Sequence, residues 1–191
     1  QSDMHVIAQD KVEELHQLIS DTTEHGDTVG GISRLVATGL PAGLGSYVSW
    51  DTKLDAKLAA AAVGVNAMKG VSFGDGFELG TKFGSQVMDQ IDWEKGAGFS
   101  RLSDHLGGFE GGMTNGMPVV MNVAMKPIPT LYQPLQTVDI NTKEKHLASV
   151  ERSDTTSIVA ASLVIQSVIA LELAKAICDQ FESSSLQRLQ E

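Results

Sequence analysis

Apolar residues recur at helical spacing in three stretches of the chain. In residues 10–20 they fall on one face, with charged residues on the other, which predicts an amphipathic helix ending near Gly26. A second helix is predicted over residues 52–63, with Asp51 placed to cap it. The third runs from about residue 157 to 181 and is almost uncharged along its first half. These patterns predict three helices, of which the last is the most apolar.

Alternation with a period of two residues marks the strands. Residues 119–125 alternate in the way expected of a half-buried strand, which the two prolines of the following sequence, KPIPT, should stop. A further strand is predicted over residues 29–38. Residues 137–140 and 146–150 are predicted to be two strands around a turn at residues 141–143. Helices thus mix with hairpin-like strands.

The remaining segments are short or irregular. The sequence KGVSFGDGF predicts a short strand and a turn, and residues 78–90 a short helix. Residues 91–116 lack periodicity and hold seven glycines, which is typical of a long functional loop. The polar tail over residues 183–191 is predicted to be frayed. Without a regular βαβ alternation, the order of elements favours an α+β fold in one domain covering residues 1–191.

Charge and cysteine content narrow the classes of function. The formal net charge is −10, which argues against a general nucleic-acid binder but not against a site for a small anion. The single cysteine, Cys178, can form neither an internal disulfide nor a zinc site, and no signal peptide is visible, so we expect a cytoplasmic protein. The apolar stretch 158–171 is shorter than the roughly 20 residues of a membrane span, which predicts a buried core helix.

Four motifs are candidates for a binding site, and each has a plainer interpretation. The sequence GLGSY contains G-x-G, but Val48 stands where a dinucleotide-binding motif has its third glycine, so a turn is favoured. The glycine-rich loop ending at Gly116 could approach an anion or a flat ring, or could be a hairpin tip. Within it, His105 is the one histidine with a plausible role in a site.

The other two motifs contain cations. In KPIPT, two prolines stiffen the backbone beside Lys126, which suits a phosphate or a planar cofactor; the alternative is a strand terminator with a solvated lysine. In ERSDT and the residues directly after it, Asp154, Thr155 or Ser157 could simply cap the helix that follows. Arg152 fits that interpretation less well, since a cation gains nothing at a helix N-terminus, whereas an arginine there suits a phosphate. This motif therefore indicates an anionic ligand.

Taken together, three segments resemble the chorismate synthase family. They are the sequence from GLGSY to GDGF, the sequence from GGFEGGMTNG through KPIPT to QTVDI, and SVERSDTTSIVAAS. The resemblance is collinear, covers nearly the whole chain and places it in the C-terminal half of the enzyme. It implies helices sandwiched between antiparallel β-sheets, a homotetramer, and use of reduced FMN to eliminate phosphate from 5-enolpyruvylshikimate 3-phosphate, giving chorismate. It implies no metal, nucleic-acid or membrane partner.

The resemblance also implies roles for single residues. The matching motifs assign FMN contacts to nine positions. A tenth, Asp154, matches the aspartate proposed to manage the flavin N5 proton. The positions matched to flavin contacts are Asn66, Ala67, Gly111, Lys126, Pro127, Ile128, Pro129, Thr130 and Arg152. The sequence leaves open whether NADPH or an outside reductase would supply the reduced flavin.

Departures from the family pattern concern the loop and the length. Where the family commonly has Asn and Ala before its double glycine, this chain has Asp104, His105 and Leu106. The N-terminal half, which should hold the catalytic histidines and most of the arginines that bind the substrate phosphate, is absent from these 191 residues. We therefore expect the chain alone to have little or no activity. A non-catalytic module that binds flavin or an anion is the alternative.

Overall fold

A computed structural model describes residues 3–181 of the chain. The predicted frayed tail, residues 183–191, lies outside the described residues. Contacts divide the described chain into two compact units. The first combines residues 3–31 with 125–163, and the second combines residues 32–124 with 164–181. The single domain expected from the sequence stays a prediction.

The fold mixes four α-helices with nine strands among the described residues. The helices are α1 (Val12–Glu24), α2 (Leu54–Gly64), α3 (Gly84–Val87) and α4 (Ile158–Gln180), with 3-10 turns at Gln9–Lys11 and Gly76–Thr81. The strands are β1 (Gly31–Ala37), β2 (Met68–Phe73), β3 (Ile91–Glu94), β4 (Gly98–Arg101), β5 (Phe109–Glu110), β6 (Met113–Thr114), β7 (Val119–Met125), β8 (Gln136–Val138) and β9 (Lys145–Leu147). This order confirms the predicted α+β class.

Strand β7 is the centre of the main sheet, whose strand order is β1-β7-β2. Its alternate residues Val119, Met121, Val123 and Met125 are buried, as the alternation in the sequence predicts. The residues between them are only half-buried. The strand ends at Met125, directly before the two prolines that cannot donate ladder hydrogen bonds.

Helix α2 packs on strand β2 through residues spaced at four. Leu54, Leu58 and Ala62 are buried, which confirms the predicted helical face. The predicted cap is wrong. The helix begins after Lys53, which makes no side-chain capping bond, and Asp51 instead accepts a hydrogen bond from the Ser49 hydroxyl. The neighbouring serine thus binds the carboxylate that the sequence assigned to the helix N-terminus.

The long loop predicted over residues 91–116 is largely wrong, because two antiparallel hairpins form there. Strand β3 pairs with β4, with Trp93 opposite Phe99. Strand β5 pairs with β6, with Glu110 opposite Met113. The glycines that suggested a loop lie mostly at the turns of these hairpins or between them. The predicted hairpin further along the chain does form, as β8 and β9, with Thr137 opposite His146.

Helix α4 has nearly the predicted bounds but is less buried than the sequence predicts. It has 23 residues, and by length and composition alone it could cross a membrane. Such a finding is weak evidence, since core helices of soluble proteins meet the same criteria. One stripe is buried, formed by Ile165, Ile169, Leu173 and Ala176, while Leu171 is exposed. The fully buried core helix is therefore corrected to a helix with one buried face.

The C-terminal end of α4 is tied to the GLG turn of the second unit. The side-chain oxygen of Gln180 accepts a hydrogen bond from the Gly45 N–H at 2.9 Å, and its nitrogen donates to the Gly43 carbonyl at 2.8 Å. Gly45 also forms an isolated bridge with Met113. No helix starts directly after this turn, which agrees with the turn favoured over a dinucleotide-binding motif.

Candidate functional site

The KPIPT segment, residues 126–130, follows strand β7 in the first unit. Its two prolines are exposed, whereas Ile128 and Thr130 are half-buried. The Thr28 hydroxyl donates to the Ile128 carbonyl at 2.6 Å, and the Ser153 hydroxyl donates to the Thr130 carbonyl at 2.9 Å. Two side chains distant in sequence therefore hold the backbone of the segment by its carbonyl groups.

A close backbone contact fixes the start of the same segment. A Cβ atom added at Gly30 would lie 2.2 Å from the Met125 carbonyl oxygen and 3.1 Å from the Pro127 nitrogen. Atoms cannot approach so closely, so only glycine leaves the room that this contact needs. Residues 28–30 thus lie directly against residues 125–128.

The ERSDT motif, residues 151–155, is joined to this arrangement. The Val29 N–H donates to the Thr155 carbonyl at 2.9 Å. The hydroxyl groups of Thr23 and Thr155 lie 2.7 Å apart. Together with the bond from Ser153 to Thr130, these contacts bring KPIPT and ERSDT together in the first unit, as the predicted site requires.

The predicted cations of the first unit have few partners. Lys126 donates to its neighbour's carbonyl, Pro127 O, at 3.2 Å. Arg152 and Asp154 are exposed, and neither side chain forms a hydrogen bond or ion pair with another residue among residues 3–181. Both cations are therefore available to an anionic ligand, and Asp154 is available as a free carboxylate.

Helix capping does not explain Asp154. Where α4 begins, the Ile158 N–H donates to the Thr156 hydroxyl at 3.3 Å, and the Ala161 N–H donates to the Ser157 carbonyl at 2.9 Å. Asp154 accepts none of the N–H groups at this helix start within the described part of the chain. The side chain that caps the start of α4 is therefore that of Thr156, not that of Asp154.

Asn66 and Ala67 belong to the second unit, in the turn between α2 and β2. Asn66 is exposed and Ala67 half-buried. The backbone of Ala67 is left-handed, with φ of 71°, a conformation that residues other than glycine, asparagine and aspartate seldom adopt. Strained backbone of this kind clusters at ligand-binding sites, although strain alone identifies no ligand.

Gly111 lies at the tip of the β5–β6 hairpin, also in the second unit. Glu110 and Met113 are paired, so Gly111 and Gly112 form a two-residue turn with φ of 61° and 88°. Such a turn needs positive φ at both positions, which is why glycine occurs there. This is the hairpin tip that the sequence offered as the alternative. Gly111 is exposed with open space around it, and its predicted flavin contact stays a prediction.

Three carboxylates surround His105 in the second unit. Asp75 binds His105 Nδ1 at 2.8 Å and Lys82 Nζ at 3.3 Å, and these hydrogen bonds hold the pKa of Asp75 below its ordinary value. Burial opposes ionisation of Asp89, but hydrogen bonds from Ser103 and from two backbone N–H groups outweigh it and lower the pKa.

Asp104 behaves in the opposite way. Burial is the main cause that raises its pKa. A hydrogen bond from the Gly108 N–H lowers the pKa in part, and the neighbouring Asp89 charge raises it further. One of its carboxylate oxygens is buried without a hydrogen-bond partner among the described residues. An aspartate at this position of the loop therefore has an electrostatic cost.

A cavity of about 350 Å³ opens elsewhere in the second unit. Its lining includes both charged and apolar side chains: Gly45, Ser46, Thr52, Leu54, Lys57, Ala176, Asp179 and Gln180. None of the ten residues predicted for the site lines this cavity. The predicted site and the cavity are therefore different places.

Sequence analysis missed the residues that hold KPIPT in place. Thr28 and Ser153 donate their hydroxyls to backbone carbonyls, 100 positions away in the case of Thr28, and Gly30 makes a close backbone contact. No local sequence pattern predicts such a contact. Ser153 lies inside the ERSDT motif, and its position between Arg152 and Asp154 was the only available signal.

A family model and several known proteins are similar to this chain. The family model "Chorismate synthase" matches residues 1–178. A chorismate synthase from Lactiplantibacillus plantarum is 63% identical over 180 residues, covering 94% of this chain and 46% of that protein. One from Limosilactobacillus fermentum is 62% identical over 191 residues, covering 100% of this chain and 49% of that protein.

A solved structure gives the same answer for the fold. The crystal structure of a chorismate synthase superimposes with a TM-score of 0.78 at 37% identity, covering 95% of this chain and 46% of that one. The chain therefore spans about half the length of the relatives it matches.

Proposed function

Because this chain belongs to the chorismate synthase family, we propose that it forms the C-terminal half of an enzyme that makes chorismate. The enzyme would be a lyase of aromatic amino acid biosynthesis, eliminating phosphate from 5-enolpyruvylshikimate 3-phosphate. The observation that carries this proposal is the family match over residues 1–178, which contains both KPIPT and ERSDT. The physical support is that these two motifs lie together in the first unit.

The donors of the first unit suit a phosphorylated flavin such as FMN. Lys126 and Arg152 offer positive charge, and Arg152 forms no ion pair within residues 3–181. The N–H groups of Ile128 and Thr130 have no backbone acceptor in the same part of the chain, so they remain available to ligand oxygens. The exposed rings of Pro127 and Pro129 offer a stiff apolar surface.

We assign FMN contacts in this unit to residues 126–130 and Arg152, and in the second unit to Asn66, Ala67 and Gly111. The chemistry supplied by bound reduced FMN is electron density for loss of the substrate phosphate. Asp154, an exposed carboxylate without a partner in the described chain, would accept or hold a proton beside the flavin. The chain's own part is thus to bind, orient and manage one proton.

The test is a titration with reduced FMN, under anaerobic conditions, of the chain alone and of the chain with a supplied N-terminal half. Lys126→Gln and Arg152→Gln should each weaken FMN binding about tenfold or more, since each removes a charge-assisted contact. Lys145→Gln, which removes an exposed charge from β9 in the same unit, should leave the affinity unchanged. Equal effects of all three substitutions would contradict the assignment.

One observation favours a second candidate function. The chain spans about half the length of its relatives, so a non-catalytic module that binds flavin or an anion would retain the same residues. This alternative predicts FMN binding without chorismate formation even when an N-terminal half is supplied. Chorismate formation by the combined halves would exclude it.

Three further properties of the complete enzyme belong to the proposal. We place it in the cytoplasm, as a homotetramer whose small-molecule substrate requires no nucleic-acid or membrane partner. The complete enzyme would either reduce its own FMN with NADPH or receive reduced FMN from an outside reductase, and these residues are compatible with both. Sedimentation of the combined halves would test the tetramer directly.

A further inference from the structure

The KPIPT segment is unusual in how its backbone is held. Two of its five residues are prolines, which have no N–H, and the N–H groups of Ile128 and Thr130 make no backbone hydrogen bond in the described part of the chain. Strand pairing ends at Met125, so no sheet ladder continues through the segment. Its position must be fixed by its carbonyl groups or by packing.

The carbonyl groups of the two half-buried residues are the ones that are bound. Thr28 donates to Ile128 O at 2.6 Å and Ser153 donates to Thr130 O at 2.9 Å. Each hydroxyl comes from a different segment, and the bond from Val29 N–H to Thr155 O, at 2.9 Å, joins those two segments to each other. KPIPT, residues 28–29 and residues 153–155 are therefore each bonded to the other two segments.

We infer that Thr28 and Ser153 are positioning residues for the KPIPT segment, holding it by its carbonyls so that its N–H groups stay available to the ligand. The inference rests on the proposed function only for the identity of that ligand, FMN. A hydroxyl can supply such a bond without adding charge to the site, and removing it leaves the ligand's own contacts in place.

The first measurement needs no ligand. Hydrogen–deuterium exchange of the 191-residue chain reports the amides of Val29 and Gln133, which donate to Thr155 O and Gly26 O and lie beside the contacts that hold KPIPT. Thr28→Val and Ser153→Ala should each speed exchange of these two amides about fivefold, the effect of losing one ordinary hydrogen bond. Thr28→Ser and Ser153→Thr, which keep a hydroxyl, should restore slow exchange.

Matched controls are present in the same unit. Thr22 donates to Leu18 O at 2.6 Å and Ser162 donates to Val159 O at 2.6 Å, so both also place a hydroxyl on a carbonyl, but not in KPIPT. Thr22→Val and Ser162→Ala should leave exchange of the Val29 and Gln133 amides unchanged. If either control speeds that exchange as much as its partner variant does, the effect is general loosening and the inference is wrong.

The second measurement is the affinity for reduced FMN of the same variants, with the N-terminal half supplied. Faster exchange together with about fivefold weaker binding supports the inference. Unchanged exchange in Thr28→Val and Ser153→Ala overturns it, and so does faster exchange with unaltered affinity. Failure of the unaltered protein to bind FMN contradicts the proposed function instead, and the exchange comparison then still decides whether the hydroxyls hold the segment.

Discussion

Ala67 adopts a backbone conformation that its side chain disfavours. Its φ of 71° places Cβ close to the following carbonyl, a cost of roughly 1–2 kcal/mol that glycine avoids. Part of this cost is regained by the lower chain entropy of alanine in the unfolded state. We propose a flavin contact at this position, so the strain lies where a ligand would bind.

Replacing Ala67 by glycine should therefore stabilise the protein, by about 0.5 to 1 kcal/mol. Urea unfolding followed by circular dichroism measures the change. The matched control is Ala60→Gly, at an exposed position inside α2, where the same substitution should destabilise by about 1 kcal/mol. Two changes of the same sign would show that the backbone of Ala67 is not strained.

Asp104 makes stability depend on pH. Its pKa is raised from the ordinary 3.8 by burial, so just above that pH the folded chain holds a proton that the unfolded chain has lost. Stability from this group is present below 3.8 and falls as pH rises through the higher folded-state pKa.

Asp104→Asn should remove this dependence. At neutral pH we expect the variant to be more stable than the unaltered protein by up to about 1 kcal/mol in unfolding free energy, with a higher melting temperature. The difference should shrink on acidification. Asp10→Asn, at an exposed aspartate, should show no such trend. A gap that grows toward acid pH would contradict the assignment of the raised pKa.

At the scale of elements, the sequence predicted strand β7, its end at the prolines, helix α1, the buried face of α2, and the β8–β9 hairpin. These succeed because periodic burial leaves a periodic pattern. It missed β3–β4 and β5–β6, since two-residue and short glycine turns look the same as loop in composition. The sequence also assigned the cap of α2 to Asp51, because residue spacing does not show that the Ser49 hydroxyl binds this carboxylate instead.

The site was predictable only in part, for a related reason. The presence of KPIPT and ERSDT was visible in the chain, and the structure brings these two motifs together. Thr28 contacts the Ile128 carbonyl through its hydroxyl, and Gly30 lies against Met125 and Pro127, each across about half of the chain. Ordinary Thr and Gly residues occur at many positions, so only coordinates identify those two.

Gly30 gives a prediction for the contact between residues 28–30 and the end of β7. Gly30→Ala would force a methyl group onto the Met125 carbonyl oxygen, which is backbone and cannot rotate away. We expect a loss of about 1–3 kcal/mol in unfolding free energy. Chemical denaturation measures it, with Gly64→Ala as the control.

At Gly64, the last residue of α2, an added Cβ meets nothing within 4 Å, and alanine favours the helix. That control should gain up to about 1 kcal/mol. If Gly30→Ala is also tolerated, residues 28–30 do not lie against the end of β7 as closely as the structure has them.

For the whole molecule, length is the decisive property. The chain covers 46% and 49% of two relatives that are more than 60% identical to it. We propose that a complete active site needs more polypeptide than these 191 residues supply. The donors of the first unit therefore predict binding more directly than they predict catalysis.

We expect the chain alone to form chorismate from 5-enolpyruvylshikimate 3-phosphate slowly or not at all, and the chain with a supplied N-terminal half to regain turnover. An anaerobic assay with reduced FMN, following chorismate by absorbance, measures both. Asp154→Asn in the combined halves should lower turnover at least tenfold, the usual contribution of a group that transfers a proton. Normal turnover by the chain alone would refute the expectation.

The two hydrogen bonds of the Gln180 side chain with Gly43 and Gly45 have a practical consequence for anyone who shortens this protein. Trimming back the end of helix α4 by its final turn would strip two glycines of their amide partner, 135 and 137 positions upstream. The harm would surface near the beginning of the polypeptide rather than at the cut. Deletion mapping from the C-terminus should therefore keep Gln180 in every version.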